Sequence, residues 1–144
     1  MELRLKGKSA VVTGGSKGLG WAIAEEFVRE GASVAICARQ ESEVTAAAAE
    51  LRSGGTTVYS QACDVTDSDQ VADFVARSAD ALGRVDILVN NAGRARPGDF
   101  ETLSDEDWQA DVDVKLLSMI RCSRAVVPHM RARGGGRIIN INAV

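Results

Sequence analysis

The apolar positions of the chain fall into short continuous runs that alternate with longer stretches of helical spacing. Ala10-Val11-Val12 is continuous and apolar, so it reads as a strand buried on both faces. Leu19, Ile23 and Phe27 then recur every four residues and give a helix one apolar face, which Gly31 stops in a left-handed conformation. Ser33 to Cys37 is a second β-rich run. Residues 41–53 read as a helix through Val44, Ala48 and Leu51, halted at Gly54-Gly55, and Thr57 to Cys63 is a third strand. Asp67 with Gln70 three residues later resembles a helix start. That helix buries Val71, Phe74, Val75 and Leu82 and ends at Gly83; Asp86 to Asn90 is the fourth strand. Ser104-x-x-Asp107 caps a long helix with an acidic first turn, which suits the helix dipole. Its apolar stripe is Trp108, Val112, Leu116, Ile120 and Val127. Pro128 is expected to bend its end, and Gly134-Gly135-Gly136 to close it. Arg137 to Ile141 is a fifth strand.

Strand and helix alternate throughout, which predicts an α/β protein with a parallel sheet covered on both faces. Right-handed crossovers make it a three-layer, doubly wound Rossmann arrangement, with ligand at the carboxyl ends of the strands. The expected strand order is 3-2-1-4-5, incomplete on the C-terminal side. Residues 1–144 contain no linker, repeat or low-complexity segment, so they are expected to form one domain.

Composition narrows the partners. The chain is 45% hydrophobic and 26% charged, an ordinary globular balance. Seventeen basic against twenty acidic side chains give a net charge of −3, which offers no broad cationic surface to nucleic acid or an anionic membrane. No apolar run approaches the ~20 residues of a membrane span. Cys37, Cys63 and Cys122 are scattered, and none stands at metal-ligand spacing with His129, the one histidine. They read as small buried thiols of a reduced, cytoplasmic protein with no metal site.

The chemistry begins where the first strand meets Thr13-Gly14-Gly15-Ser16-Lys17-Gly18-Leu19-Gly20. Glycines there allow tight turning and close backbone approach, and the helix behind them offers free N–H groups and about half a positive charge. Phosphate is the natural guest. The spacing is neither Gly-x-Gly-x-x-Gly nor a P-loop ending in Gly-Lys-Ser/Thr.

This octet resembles the TGxxxGxG motif of the short-chain dehydrogenase/reductase family. Asn90-Asn91-Ala92-Gly93 is similar to that family's NNAG, and Cys63-Asp64-Val65 to its adenine-side aspartate. Pro128-His129-Met130 and Gly136-Arg137-Ile138-Ile139 also resemble the family's approach to its fifth strand. The resemblance covers all 144 residues. It implies a nicotinamide dinucleotide cofactor, with Gly14, Ser16, Lys17, Gly18, Leu19 and Gly20 at the phosphates. Asp64 and Val65 are expected at the adenine, and Asn91, Ala92 and Gly93 along the ribose side. Asp64 can instead cap the following helix. Asn90 is expected to tie neighbouring strands together.

The second strand ends Ile36-Cys37-Ala38-Arg39, without the carboxylate that would bind the ribose 2′-hydroxyl of NAD. Arg39, with Lys17 as a second cation, can grip a 2′-phosphate through charge-assisted hydrogen bonds. NADP(H) is therefore the expected preference, with NAD(H) possible. The alternative is that Arg39 and Lys17 are solvated surface charges.

Catalytic residues are where the pattern breaks. The family uses Tyr-x-x-x-Lys on one helix face, a serine after the fifth strand and an asparagine in the long helix. The one tyrosine here, Tyr59, lies in the third strand with Cys63 four residues on, so no acid–base pair is present and no catalytic residue is assigned. The asparagine position is taken by Lys115, either a solvated lysine or an ammonium ordering water or substrate. The serine position is taken by Ala143, or by Asn142 if one residue is gapped. Loss of a serine donor there costs ~3–4 kcal/mol of transition-state stabilisation. His129 is expected to be a capping or surface residue.

Two functions remain open. One is the cofactor-binding front of a longer NADP(H)-dependent oxidoreductase that interconverts an alcohol and a ketone and pairs as a homodimer or homotetramer. The other is a non-catalytic NADP-binding sensor or scaffold. The natural chain is expected to continue past Val144, and residues 1–144 alone are expected to be inactive.

Overall fold

A computed structural model describes residues 3–94 and 97–142. Five strands form one parallel sheet: β1 (Ser9–Thr13), β2 (Ser33–Ala38), β3 (Val58–Ala62), β4 (Ile87–Asn90) and β5 (Arg137–Asn140), in the order β3-β2-β1-β4-β5. The helices between them are α1 (Gly18–Arg29), α2 (Glu41–Leu51), α3 (Ser68–Leu82), α4 (Asp105–Val112) and α5 (Ser118–Ala132). The doubly wound arrangement and its strand order are as expected.

The two-residue period of a strand splits β1 between the two layers. Ala10 and Val12 pack with Ala24 and Val28 of α1 and with Val44 and Ala48 of α2. Val11 packs on the other face with Phe74 and Val75 of α3 and Cys122 and Val126 of α5. The alternation fixes register, since a one-residue slip would exchange the two cores. At the foot of the sheet Asp86 holds β1 to β4. Its carboxylate accepts the Ser9 N–H at 2.9 Å and the Arg84 Nε at 2.6 Å. Burial pushes the Asp86 pKa up, but the Arg84 guanidinium and the Ser9 N–H outweigh it, and the net direction is down.

Several boundaries hold. Asp67 caps α3 by accepting the N–H groups of Asp69 and Gln70 at 2.9 and 3.0 Å. Gly83 closes that helix at φ 75°. Ser104 and Asp107 form a reciprocal capping box at the start of α4. Residues 52–54 after α2 tighten into a 3₁₀ turn before Gly55.

Two expectations need correction. In α1 the buried face is Gly20, Ala24 and Val28, while Leu19 is exposed and Ile23 and Phe27 are half-buried. Small residues win because the helix must approach the sheet closely beside the glycine turn. The long helix is divided by a π turn at Asp113–Leu117, and Trp108, Val112, Leu116 and Ile120 all face solvent; Leu116 and Ile120 are 54% and 50% exposed. The buried face is Ser118, Cys122, Val126 and Met130, with Val127 only half-buried. Two stripes of i, i+4 spacing compete on α5. The sheet takes the one whose smaller side chains allow close packing, and the π turn rotates α4 relative to α5. Pro128 lies inside α5, which continues to Ala132, and the π turn at Asp113–Leu117 precedes it. Pro128 and Arg124, whose carbonyl the missing N–H would have met, are both exposed, and water can satisfy that carbonyl.

Candidate functional site

The carboxyl ends of β1 and β4 are locked together by backbone contacts. Gly14 turns at φ 65°, and a Cβ there would stand 3.0 Å from the Ala92 Cα. A Cβ on Gly20 would stand 2.1 Å from the Gly14 carbonyl oxygen and 2.4 Å from Asn91 Nδ2, so no side chain fits. Thr13 Oγ1 accepts the N–H groups of Asn91 and Ala92, each at 3.0 Å. Asn91 Nδ2 donates to the Thr13 and Gly14 carbonyls, each at 3.2 Å. The first Asn-Asn-Ala-Gly asparagine does what was expected. Asn90 Nδ2 donates to Asn140 Oδ1 of β5 at 2.8 Å and reaches Ser123 Oγ of α5 at 3.4 Å.

Behind this turn α1 begins at Gly18 with Lys17 as its N-cap. Lys17 supplies no side-chain acceptor to the helix N–H groups, and no acidic residue occupies the first turn. The end of α1 thus keeps its donors and partial positive charge for an outside anion.

A cavity of about 530 Å³ opens over the carboxyl edge of the sheet, a size suited to small molecules. Gly14, Ser16, Lys17, Arg39, Asp64, Val65, Asn91, Ala92 and Gly93 all line it. Gly18 lies outside it, in a shallower depression shared with Ser16 and Lys17. Leu19 and Gly20 line neither: Leu19 points to solvent, and Gly20 serves the close packing just described.

The structure adds residues that the sequence did not single out. Ala110, Asp113 and Val114 close one wall, brought there by the π turn, which helical spacing does not announce. Gln40 and Glu43 form the mouth beside Arg39, and their nearness to the end of β2 was the available signal. Cys37 and Cys63, scattered in sequence, meet at the cavity floor because they end adjacent strands. All three cysteines are buried free thiols. The hydrogen bond between Cys37 and Cys63 pushes the Cys37 pKa up and draws that of Cys63 down, while burial pushes Cys122 up to about 12.

The cap of α3 is Asp67, so Asp64 does not take the capping place it was offered. Asp64 lines the cavity, and its Oδ1 accepts the Thr66 N–H and hydroxyl at 2.9 and 2.8 Å, fixing the turn into α3. Lys115 does not line the cavity; its Nζ pairs with Asp111 at 2.9 Å. Ala143 lies outside the described residues. Tyr59 donates to Gln61 Oε1 at 2.6 Å and stacks on Phe74, and it is not among the residues that line the cavity. Burial is the largest influence on its pKa, which is raised. His129 sits half-buried in the last turn of α5. Among the described residues no cluster of three or more His, Cys, Asp or Glu can hold a metal ion, and no helix is long and apolar enough to cross a membrane.

The glycine turn, the paired strand ends and the cavity together define a nucleotide-site architecture of the Rossmann type. Residues 8–144 match the family model for short chain dehydrogenases, and the chain belongs to that family. It is 39% identical over 141 residues to the uncharacterized oxidoreductase YvrD of Bacillus subtilis (strain 168), covering 98% of this chain and 53% of that protein. L-sorbose reductase from Gluconobacter frateurii, solved with NADPH and L-sorbose, superposes with a TM-score of 0.93 at 40% identity, over 97% of this chain and 54% of that one. A 7α-hydroxysteroid dehydrogenase solved with NADH and 7-oxo glycochenodeoxycholic acid gives a TM-score of 0.93 at 32% identity, over 99% and 55%. The chain spans about half the length of the curated relatives it matches.

Proposed function

We propose that this chain is the cofactor-binding part of an NADP(H)-dependent oxidoreductase that interconverts an alcohol and a ketone. One observation carries the cofactor preference. β2 ends at Ala38 with no carboxylate to repel a 2′-phosphate, and Arg39 stands at the cavity mouth with no ion pair or hydrogen bond among the described residues. The residues present fit a dinucleotide. Gly14 brings bare backbone to the cavity wall, and the uncapped start of α1 matches a pyrophosphate. Of the lining residues we assign Asp64, Val65 and Val114 to the adenine and Asn91, Ala92 and Gly93 to the ribose side. When bound, the nicotinamide supplies or accepts the hydride. This chain's own residues bind and orient the cofactor, and its sequence holds no Tyr-x-x-x-Lys pair to serve the alkoxide.

Titration of the purified chain with NADPH and NADH tests the reading. Tighter NADPH binding by about ten- to a hundredfold is expected, as one charge-assisted contact would give, and Arg39→Asp should abolish the difference. Equal affinity, or tighter NADH, overturns it. Turnover of a ketone by residues 1–144 alone would refute the expected inactivity.

Pairing as a homodimer or homotetramer, which family membership suggests, is supported by the exposed apolar face of α4 and α5. Tyr59, held in β3 and not among the residues that line the cavity, is the observation that favours the second reading, a non-catalytic NADP-binding sensor or scaffold.

A further inference from the structure

Three carboxylates line the cavity: Glu43, Asp64 and Asp113. Two of them are already held by groups that no bound nucleotide needs. Asp64 is occupied by Thr66, and Asp113 by the Arg121 guanidinium at 2.6 Å. The third is different. Glu43 Oε2 lies 3.5 Å from Lys17 Nζ, so its partner is one of the two cations offered to a 2′-phosphate. Glu43 is on the first turn of α2, four residues beyond Arg39, and it lines both the main cavity and the depression beside it. The pair is open to water, with side chains 80% and 38% exposed, so it is weak enough to exchange.

We propose that Glu43 limits the preference of this site for a 2′-phosphate. In the free protein it holds the Lys17 ammonium, so a 2′-phosphate must displace it and bind Lys17 beside a carboxylate. A 2′-hydroxyl meets no such cost and can donate to Glu43. The site therefore admits both cofactors, with Arg39 tilting it toward the phosphorylated one. This inference rests on the 2′-phosphate reading above and adds the group that limits it.

The test uses two probes of the adenosine half, adenosine 2′,5′-bisphosphate and adenosine 5′-monophosphate, titrated calorimetrically at low salt. Exchange of an exposed ion pair, plus relief of repulsion on the phosphate, is worth about three- to tenfold. Glu43→Gln should tighten the bisphosphate by that factor and move the monophosphate less than about twofold. In a Lys17→Met background the same substitution should gain less, because no ammonium is released. An unmoved ratio of the two affinities in Glu43→Gln overturns the proposal. So does an equal gain for both probes, or a full gain that persists without Lys17. If neither probe binds the unaltered chain, the dinucleotide reading itself falls. If both bind and only the Glu43→Gln ratio stays fixed, this inference falls alone.

Discussion

The glycine turn and the α4–α5 segment border the same cavity, but opposite forces shape them. At the turn, backbone is packed on backbone: Gly20 leaves no room for a Cβ, and one on Gly14, at φ +65°, would crowd the Ala92 Cα at 3.0 Å. Along this segment α5 packs on the sheet through Ser118, Cys122, Val126 and Met130, while Trp108, Val112, Leu116 and Ile120 turn to solvent, with Phe100 edge-on against Trp108. The turn is specified by what the chain excludes, and the helix by a choice between two apolar faces. A local steric demand has one solution. A choice of face depends on everything else in the assembly.

The sharpest way to break this comparison is Gly20→Ala. The new methyl would meet the Gly14 carbonyl oxygen at 2.1 Å, and both belong to backbone that cannot swing aside. We expect a loss of about 3 kcal/mol in stability and of nucleotide binding, measured by urea unfolding and titration. Gly18→Ala separates crowding from conformation. Nothing lies within 4 Å of that Cβ, but φ is +59°, so the cost should be only about 1 kcal/mol. Equal effects at the two positions would show that crowding is not what holds the turn.

A smaller effect is expected at the other end of the same strands. Asp86→Asn keeps the shape but removes the charge that holds Arg84 and strengthens the Ser9 N–H bond. The loss should be about 2 kcal/mol near neutral pH. Because the folded pKa of Asp86 is depressed, its contribution is full above the ordinary carboxylate value of about 4. It fades as pH falls through the folded value. The gap between unaltered chain and variant should therefore close in acid, which urea midpoints at pH 7 and below pH 3 would reveal. A gap that persists in acid would mean that packing, not charge, fastens β1 to β4.

These contrasts explain what could be read in the sequence. The sheet order followed from alternating runs, because a strand buried on both faces has few other readings. Asp67 and Ser104 marked their helix starts because capping is a local bargain between a side chain and nearby N–H groups. The glycine turn was legible for the same reason. The apolar face of α5 was not. Hydropathy favours Leu116 and Ile120, whereas the sheet accepts Ser118, Cys122 and Val126, and spacing cannot announce a π turn at residues 113–117. Lys17 was legible as a cation, but its tie to Glu43 joins residues 26 positions apart and needed the folded chain. Likewise Cys37 and Cys63 form a pair only because β2 and β3 are neighbours.

The mildest substitution sharpens the comparison most directly. Ile120→Asp lies on the face turned away from the sheet, where Ile120 is 50% exposed, so monomer stability should change by less than about 0.5 kcal/mol. Val126→Ala, on the buried face, should cost about 2 kcal/mol. If a second copy covers the outer stripe, as proposed, the aspartate places a charge inside that contact and self-association falls while the fold persists. Sedimentation over a concentration series reads the association, and urea unfolding at low concentration reads the fold. An Ile120→Asp variant that unfolds as easily as Val126→Ala would mean that the outer stripe belongs to the chain's own core. One that associates unchanged would mean that no second copy rests there.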